Sequence, residues 1–122
     1  MARRVLIVDD DADIRAVLKE YLTAKGFEVA ACENAESALV LVLKEKFDAV
    51  MLDINLPGLS GLKAIHSFTG EGGGTAVYLM TGHADTELEK DAVLLGAKGF
   101  FAKPLDLAAV LHKLGGSAPA KS

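Results

Sequence analysis

The sequence predicts a doubly wound α/β domain: five parallel strands in one sheet, with five helices on its two faces. Three observations predict it. Short β-rich apolar runs alternate with segments of helical period along the whole chain. The inner runs are continuously apolar, as strands covered on both faces must be. The 122 residues, 51% hydrophobic and 25% charged, supply one packed core and too little chain for two domains.

The elements follow in order. Residues 5–8 form the first run. Residues 13–24 then place Ile14, Val17, Leu18, Tyr21 and Leu22 at i, i+3, i+4, i+7 and i+8, one face of a helix. Asp11 or Asp13 suits its N-cap and Gly26 its C-cap. A second strand at 29–32 ends in Cys32, and Asn34 caps a helix over 35–46 whose stripe is Ala35, Ala38, Leu39, Val42 and Leu43. The third strand is 49–52, followed by a shorter helix at 61–68. The fourth strand is 76–80, and the fourth helix, 85–95, carries Leu88, Ala92 and Leu95 on one face before Gly96. The fifth strand is 99–102. Asp106 leads the last helix, 106–114, with Leu107, Val110, Leu111 and Leu114 inward. The domain is expected over 1–115, and the Gly-Ser-rich residues 116–122 read as a flexible tail or the start of a linker.

Right-handed crossovers leave few topologies, of which the flavodoxin-like strand order 2-1-3-4-5 is expected. Open sheets of this kind bind ligands at the carboxyl ends of their strands. The first strand runs into Asp9-Asp10-Asp11, the third into Asp53, the fourth into Thr81-Gly82 and the fifth into Lys103-Pro104. The expected order therefore gathers Asp9, Asp10, Asp53, Thr81 and Lys103 on one patch. Like charges a few ångströms apart repel by about 1 kcal/mol or more, so three carboxylates there call for protons, a cation or both. An all-oxygen donor set selects Mg²⁺, Mn²⁺ or Ca²⁺ over zinc or copper. A partly filled metal shell, an amine and a hydroxyl make a site for a tetrahedral oxyanion, with phosphoryl the foremost candidate.

Composition narrows the alternatives. A net charge of -4 gives no basic footprint for nucleic acid or for an anionic membrane surface, and Arg3-Arg4 is too small a patch. No apolar run approaches the about 20 residues that span a bilayer, and the N-terminus lacks a signal-peptide cleavage site. One cysteine, Cys32, excludes an internal disulfide and suggests the cytoplasm; it reads as buried and inert. The segment 69–75 is glycine-rich but lacks the Gly-Lys-Ser/Thr ending of a phosphate loop and precedes a strand. His66 and His112 have no partner at metal spacing. Met51 and Met80 read as core.

The ordered set Val8-Asp9-Asp10, Leu52-Asp53-Ile54-Asn55-Leu56-Pro57-Gly58 with Gly61, Met80-Thr81-Gly82 and Lys103-Pro104 resembles the receiver (CheY-like) domain of bacterial two-component response regulators, to about Leu114. The resemblance implies a phosphorylation-dependent signalling switch, not an enzyme acting on other substrates, although it promotes its own phosphorylation and dephosphorylation. Asp53 would be the phosphoacceptor, taking its phosphoryl group from a sensor histidine kinase or a histidine phosphotransfer protein. Asp10 and Asp53 would ligate Mg²⁺ (or Mn²⁺), Asp9 would act mostly through water, and the Asn55 backbone carbonyl would be a further ligand. Lys103 would bind a phosphoryl oxygen. Thr81 would swing onto it, coupled to an aromatic switch at Phe100, which has a ring but no hydroxyl and reads equally as a core aromatic. Asn55 and His83 fall at positions that modulate phosphoryl lifetime, and the Lys103–Pro104 bond is expected to be cis.

The resemblance also implies surfaces. The kinase-side partner would dock near the acceptor and the first helix, around Ile14, Arg15 and Leu18, with only a subset free of core duty. An unknown output protein or domain, or a dimer, would use the face of the fourth helix, fifth strand and fifth helix, with Val93, Leu94, Ala108, Ala109 and His112 as candidates. No direct nucleic-acid or membrane contact is expected. Three other readings fit less well. A flavodoxin-type carrier needs a hydroxyl- and glycine-rich phosphate loop where this chain has Asp9-Asp10-Asp11. A haloacid-dehalogenase-type phosphatase needs Asp-x-Asp followed by threonine, and Asp11-Ala12-Asp13 lies one step into the helix without it. A degenerate interaction-only receiver would not retain the full acidic set with Thr81 and Lys103.

Overall fold

A computed structural model of the chain describes residues 3–54, 65, 67–69, 75–82 and 86–115. The elements run β1 (Arg4–Val8), α1 (Ala12–Ala24), β2 (Glu28–Cys32), α2 (Ala35–Lys44), β3 (Ala49–Asp53), a helical stretch α3 at residues 65 and 67–69, β4 (Ala76–Thr81), α4 (Thr86–Leu94), β5 (Gly99–Ala102) and α5 (Leu107–Lys113). All strand pairs are parallel and the order is β2-β1-β3-β4-β5, as expected.

Strand periodicity divides the core. Leu6, Val8, Val50, Leu52, Val77 and Leu79 point to one face, where Ala35 and Ala38 of α2, Ile65 and Phe68 of α3 and Ala92 of α4 cover them. Val5, Ile7, Met51, Tyr78, Met80 and Phe101 point to the other, beneath Leu18 and Leu22 of α1, Val110 of α5 and Leu114 at its C-terminal end. Met51 and Met80 are both core residues. Every residue of β3 is buried, which suits its central place.

The helix boundaries have local causes. Asp11, not Asp13, is the α1 N-cap: its Oδ1 accepts from the Asp13 and Ile14 amides at 2.9 and 3.3 Å. Asn34 Oδ1 accepts from Ser37 N–H at 2.8 Å, and Asp106 Oδ1 from Ala109 N–H at 3.2 Å. Gly26 and Gly96, at φ of 96° and 109°, take the left-handed conformation that ends α1 and α4. The second helix stops at Lys44, two residues early, where Glu45 turns extended.

Three residues assigned to core-facing stripes face solvent instead: Val17, Leu43 and Leu95 are 51%, 87% and 43% exposed. The Arg3-Arg4 pair serves the fold. Arg3 Nη1 donates to the Leu114 carbonyl at 2.8 Å, fastening the end of α5 to β1. Arg4 lies over the Phe47 ring and pairs with Glu45. No described helix is long and apolar enough to cross a membrane.

Loss of the α2 cap isolates a local contribution. Asn34→Ala is expected to cost about 1 kcal/mol, a fall in melting temperature of about 3–6 °C, measured by circular dichroism. An unchanged midpoint would show that the Asn34 side chain does not cap α2.

Candidate functional site

The carboxyl edge of the sheet is built by strand ends whose next residues are tied across to their neighbours. Beyond β1, the Asp9 amide donates to the Cys32 carbonyl at 3.1 Å. Beyond β3, the Ile54 amide donates to the Met80 carbonyl at 3.1 Å, and beyond β5 the Lys103 amide donates to the Thr81 carbonyl at 2.7 Å. These bonds fix the stubs from which Asp9, Asp53, Thr81 and Lys103 project.

Asp9, Asp53 and Thr81 are buried, and Asp10 is exposed. Asp9 directly follows the buried run of β1, whereas Asp10 stands at the bend that leads into α1. One carboxylate oxygen from each of Asp9, Asp10 and Asp53 nevertheless lies within 4.8 Å of the others. Lys103 Nζ stands 3.0 Å from Asp9 Oδ2 and 3.1 Å from Asp53 Oδ2. Asp9 Oδ1 accepts from the Asp11 amide at 2.9 Å. Asp9 Oδ2 is buried and, despite its ion pair, has no aligned hydrogen bond.

Burial pushes the Asp9 carboxyl above the ordinary range, and Asp53 adds repulsion; the Asp11 amide and Lys103 pull the other way without cancelling it. Burial works against the Lys103 ammonium, but Asp9 and then Asp53 outweigh it and hold its pKa above the usual value. The amine is therefore charged across the physiological range.

When all are ionised, three carboxylates and one ammonium leave two negative charges. A hard divalent cation fits on two grounds: the donors are all oxygen, and a buried carboxylate oxygen lacks a hydrogen bond. Asp9, Asp10 and Asp53 are the described residues that gather here. The Asn55 and His83 assignments, with Pro57, Gly58, Gly61 and His66, lie outside the described residues.

The remaining assignments divide. Thr81 sits at the end of β4, opposite Ala102 and two strands from β1. A Cβ on Gly82 would meet open space, so the small residue after Thr81 leaves the mouth clear. Phe100, opposite Leu79, is half-buried and packs on the α2/α3/α4 side of the core. The Lys103–Pro104 bond is cis. Cys32 is buried at the end of β2, and burial raises its thiol pKa. Of the docking candidates, Leu18 is wholly core, whereas Ile14 and Arg15 are half-buried. Val93, Leu94, Ala108, Ala109 and His112 are all exposed.

A groove of about 300 Å³ beside the site runs between α1 and the β5–α5 connection, lined by Ile14, Val17, Leu18, Lys103, Pro104 and Leu105 among others. Sequence reasoning gave Val17 to the core and passed over Leu105. Nothing in the helical period marks Val17 as free, because it lies on the same stripe as Ile14 and Leu18.

Comparison with known proteins bears on the family and the fold. The family model described as response regulator receiver domain matches residues 5–115. A cyclic di-GMP phosphodiesterase of Thermotoga maritima is 37% identical over 103 residues, 84% of this chain and 27% of that protein. Sporulation initiation phosphotransferase F of Bacillus subtilis is 33% identical over 107 residues, 88% of this chain and 86% of that protein. The chain thus spans about a quarter of the first relative and most of the second. A crystal structure of a CheY-like response regulator receiver domain protein from Methanospirillum hungatei superposes with a TM-score of 0.88 at 28% identity, covering 99% of this chain and 98% of that one.

The raised Asp9 pKa has a consequence for stability. The fold favours the protonated acid, so Asp9 contributes most below its unfolded pKa and loses that contribution as pH rises through its higher folded pKa. Asp9→Asn removes a charge from the cluster while keeping an acceptor for the Asp11 amide. Without divalent cation at pH 7 it is expected to stabilise the fold by about 1 kcal/mol, with a flatter dependence on pH, measured by thermal melts in EDTA. A lower melting temperature would contradict it.

Proposed function

The chain belongs to the response regulator receiver domain family, whose general function is phosphorylation-dependent signalling, and from that premise we propose that it takes a phosphoryl group from a phosphohistidine onto Asp53. The observation that carries the reading is the Asp53 carboxylate, buried at the end of the central strand, 3.1 Å from Lys103 and within 4.8 Å of two further carboxylates. The donor is a sensor histidine kinase or a histidine phosphotransfer protein, and the acting unit is residues 1–115. A cytoplasmic setting fits the single, unpaired cysteine.

Asp9, Asp10 and Asp53, with the Asn55 backbone carbonyl, are the groups proposed to hold Mg²⁺, with Mn²⁺ as a substitute. When bound, the cation neutralises charge developing on the phosphoryl oxygens. An Asp53 carboxylate oxygen forms a bond to phosphorus as the P–N bond of the phosphohistidine breaks. The electron pair stays on that imidazole nitrogen, and the proton already carried by the other ring nitrogen makes the departing group a neutral imidazole. Lys103 now spans Asp9 and Asp53; once Asp53 carries phosphorus, the better partner for its ammonium is a phosphoryl oxygen.

The acyl phosphate carries about -2 where the carboxylate it replaces carried -1, so local charge changes by about -1, and that charge is spread over three new acceptor oxygens. Thr81 is proposed to turn its hydroxyl onto the phosphoryl group, and half-buried Phe100 to follow by rotamer change. Asn55 and His83 tune the lifetime of the modification. The domain promotes its own phosphorylation and dephosphorylation and acts on no other substrate.

The kinase-side partner docks on the groove beside Lys103, where exposed Val17 and half-buried Ile14 supply apolar contact. The α4–β5–α5 face, with Leu94 83% exposed, is proposed for an output protein or domain, or for a second copy of the chain. The net charge of -4 speaks against the overall basic footprint that nucleic acid or an anionic membrane requires.

Incubation with acetyl phosphate or phosphoramidate and Mg²⁺ is expected to add one phosphoryl group by intact mass. EDTA is expected to slow the addition by about 10²-fold or more, and Asp53→Asn to abolish it. Labelling of Asp53→Asn at the wild-type rate would overturn the acceptor assignment. Lys103→Ala is expected to weaken the response to phosphorylation even where some labelling survives.

A further inference from the structure

The carbonyl of Asp9 raises a question that strand pairing does not answer. The β1–β3 ladder ends at Val8 opposite Leu52, and β1–β2 ends at Val8 opposite Cys32. Asp9 is one residue beyond. Its amide still finds the Cys32 carbonyl, but its own carbonyl has run past the last strand donors. A half-buried carbonyl without a partner is costly. Arg15, one turn into α1, supplies the donor: Nη1 reaches back six residues and binds the Asp9 carbonyl at 2.7 Å.

That carbonyl belongs to the peptide joining Asp9 to Asp10. Asp9 itself is held from every side, by the Cys32 carbonyl, the Asp11 amide, Lys103 and Arg15. The Asp10 carboxylate is exposed, and no hydrogen bond or ion pair within the described residues fixes it. Its place within 4.8 Å of Asp9 and Asp53 is therefore set by its backbone, and the orientation of that backbone depends on the peptide that Arg15 clamps.

We infer that Arg15 is a positioning residue: by holding the Asp9 carbonyl, it aims the Asp10 carboxylate at the cation site. The inference rests on the proposed role of the acidic cluster as a divalent-cation site. Arg15 touches neither the reacting atoms nor the cation.

The sign of one measurement separates this role from its rivals. Arg15 is a cation near an acidic cluster. If charge were its only influence, removing it would tighten Mg²⁺ binding. If it served stability alone, Mg²⁺ affinity of the folded protein would not change. If it positions Asp10, removing it weakens binding, and loss of such a supporting hydrogen bond typically costs about 10–100-fold in metal affinity.

The test is Mg²⁺ titration of the unphosphorylated chain by calorimetry, at a temperature where circular dichroism shows each variant folded. Arg15→Met keeps the apolar stem and removes the donors; it is expected to raise the Mg²⁺ dissociation constant by about 10-fold or more. Arg15→Lys, which keeps a charged donor, is expected to recover most of the affinity. On an Asp10→Asn background, Arg15→Met is expected to have little further effect, because the carboxylate it aims is gone. Equal or tighter binding by folded Arg15→Met would overturn the inference, as would a full additive loss on the Asp10→Asn background. Should Arg15→Met not fold, Arg15→Gln is read by the same criteria. Failure of the wild type to bind Mg²⁺, or binding indifferent to Asp10→Asn and Asp53→Asn, would instead refute the underlying cation-site reading.

Discussion

Lys103 bridging Asp9 and Asp53 is the interaction on which the rest depends. Asp9 is fully buried and Asp53 nearly so, and each buried ion costs several kcal/mol to desolvate, to order of magnitude. One ammonium placed about 3 Å from both makes the pair tolerable. It does not make it comfortable: Asp9 still has a raised pKa and an oxygen without an aligned hydrogen bond. The fold thus stores an unmet demand for positive charge at one point on its surface. The proposed cation binding and phosphoryl chemistry would answer that demand.

The sheet converts this demand into geometry. Five parallel strands deliver their carboxyl ends to one edge, and the order β2-β1-β3-β4-β5 makes neighbours of β1, β3, β4 and β5. Asp9, Asp53, Thr81 and Lys103 are scattered along the chain but each projects from a tied strand end. Two hydrophobic layers, under α1/α5 and under α2/α3/α4, hold those strands rigid. The same construction sets the proposed docking surfaces beside the site. Lys103 and Pro104 line the groove against α1, and β5 continues into the exposed α4–α5 side. In the proposed mechanism, a shift of Lys103 toward a phosphoryl oxygen would be felt at both candidate docking faces.

Much of this was legible in the sequence, because burial on both faces demands continuous apolar strands and charge at a strand end is hard to miss. The strand order, the caps at Asn34 and Asp106 and the convergence of Asp9, Asp10, Asp53 and Lys103 all follow from such local signals. The errors have a common origin. Helical period identifies an apolar stripe but not how much of it the sheet covers, so Val17, Leu43 and Leu95 were assigned inward and stand exposed. The Arg15 hydrogen bond crosses the β1–α1 turn to a backbone atom, and no residue pattern announces a partner of that kind. Asp9 is buried just past the end of β1 and Asp10 is exposed at the following bend, and only the three-dimensional arrangement reveals that Lys103 pairs with Asp9 along with Asp53.

The most direct test is a crystal structure of the chain with Mg²⁺ and trifluoroberyllate, a tetrahedral stand-in for the phosphoryl group. Beryllium is expected on an Asp53 carboxylate oxygen, with the Lys103 amine drawn off Asp9 onto a fluorine and the cation beside Asp10. Beryllium bound elsewhere, or a lysine still spanning the two aspartates with the adduct in place, would contradict the account.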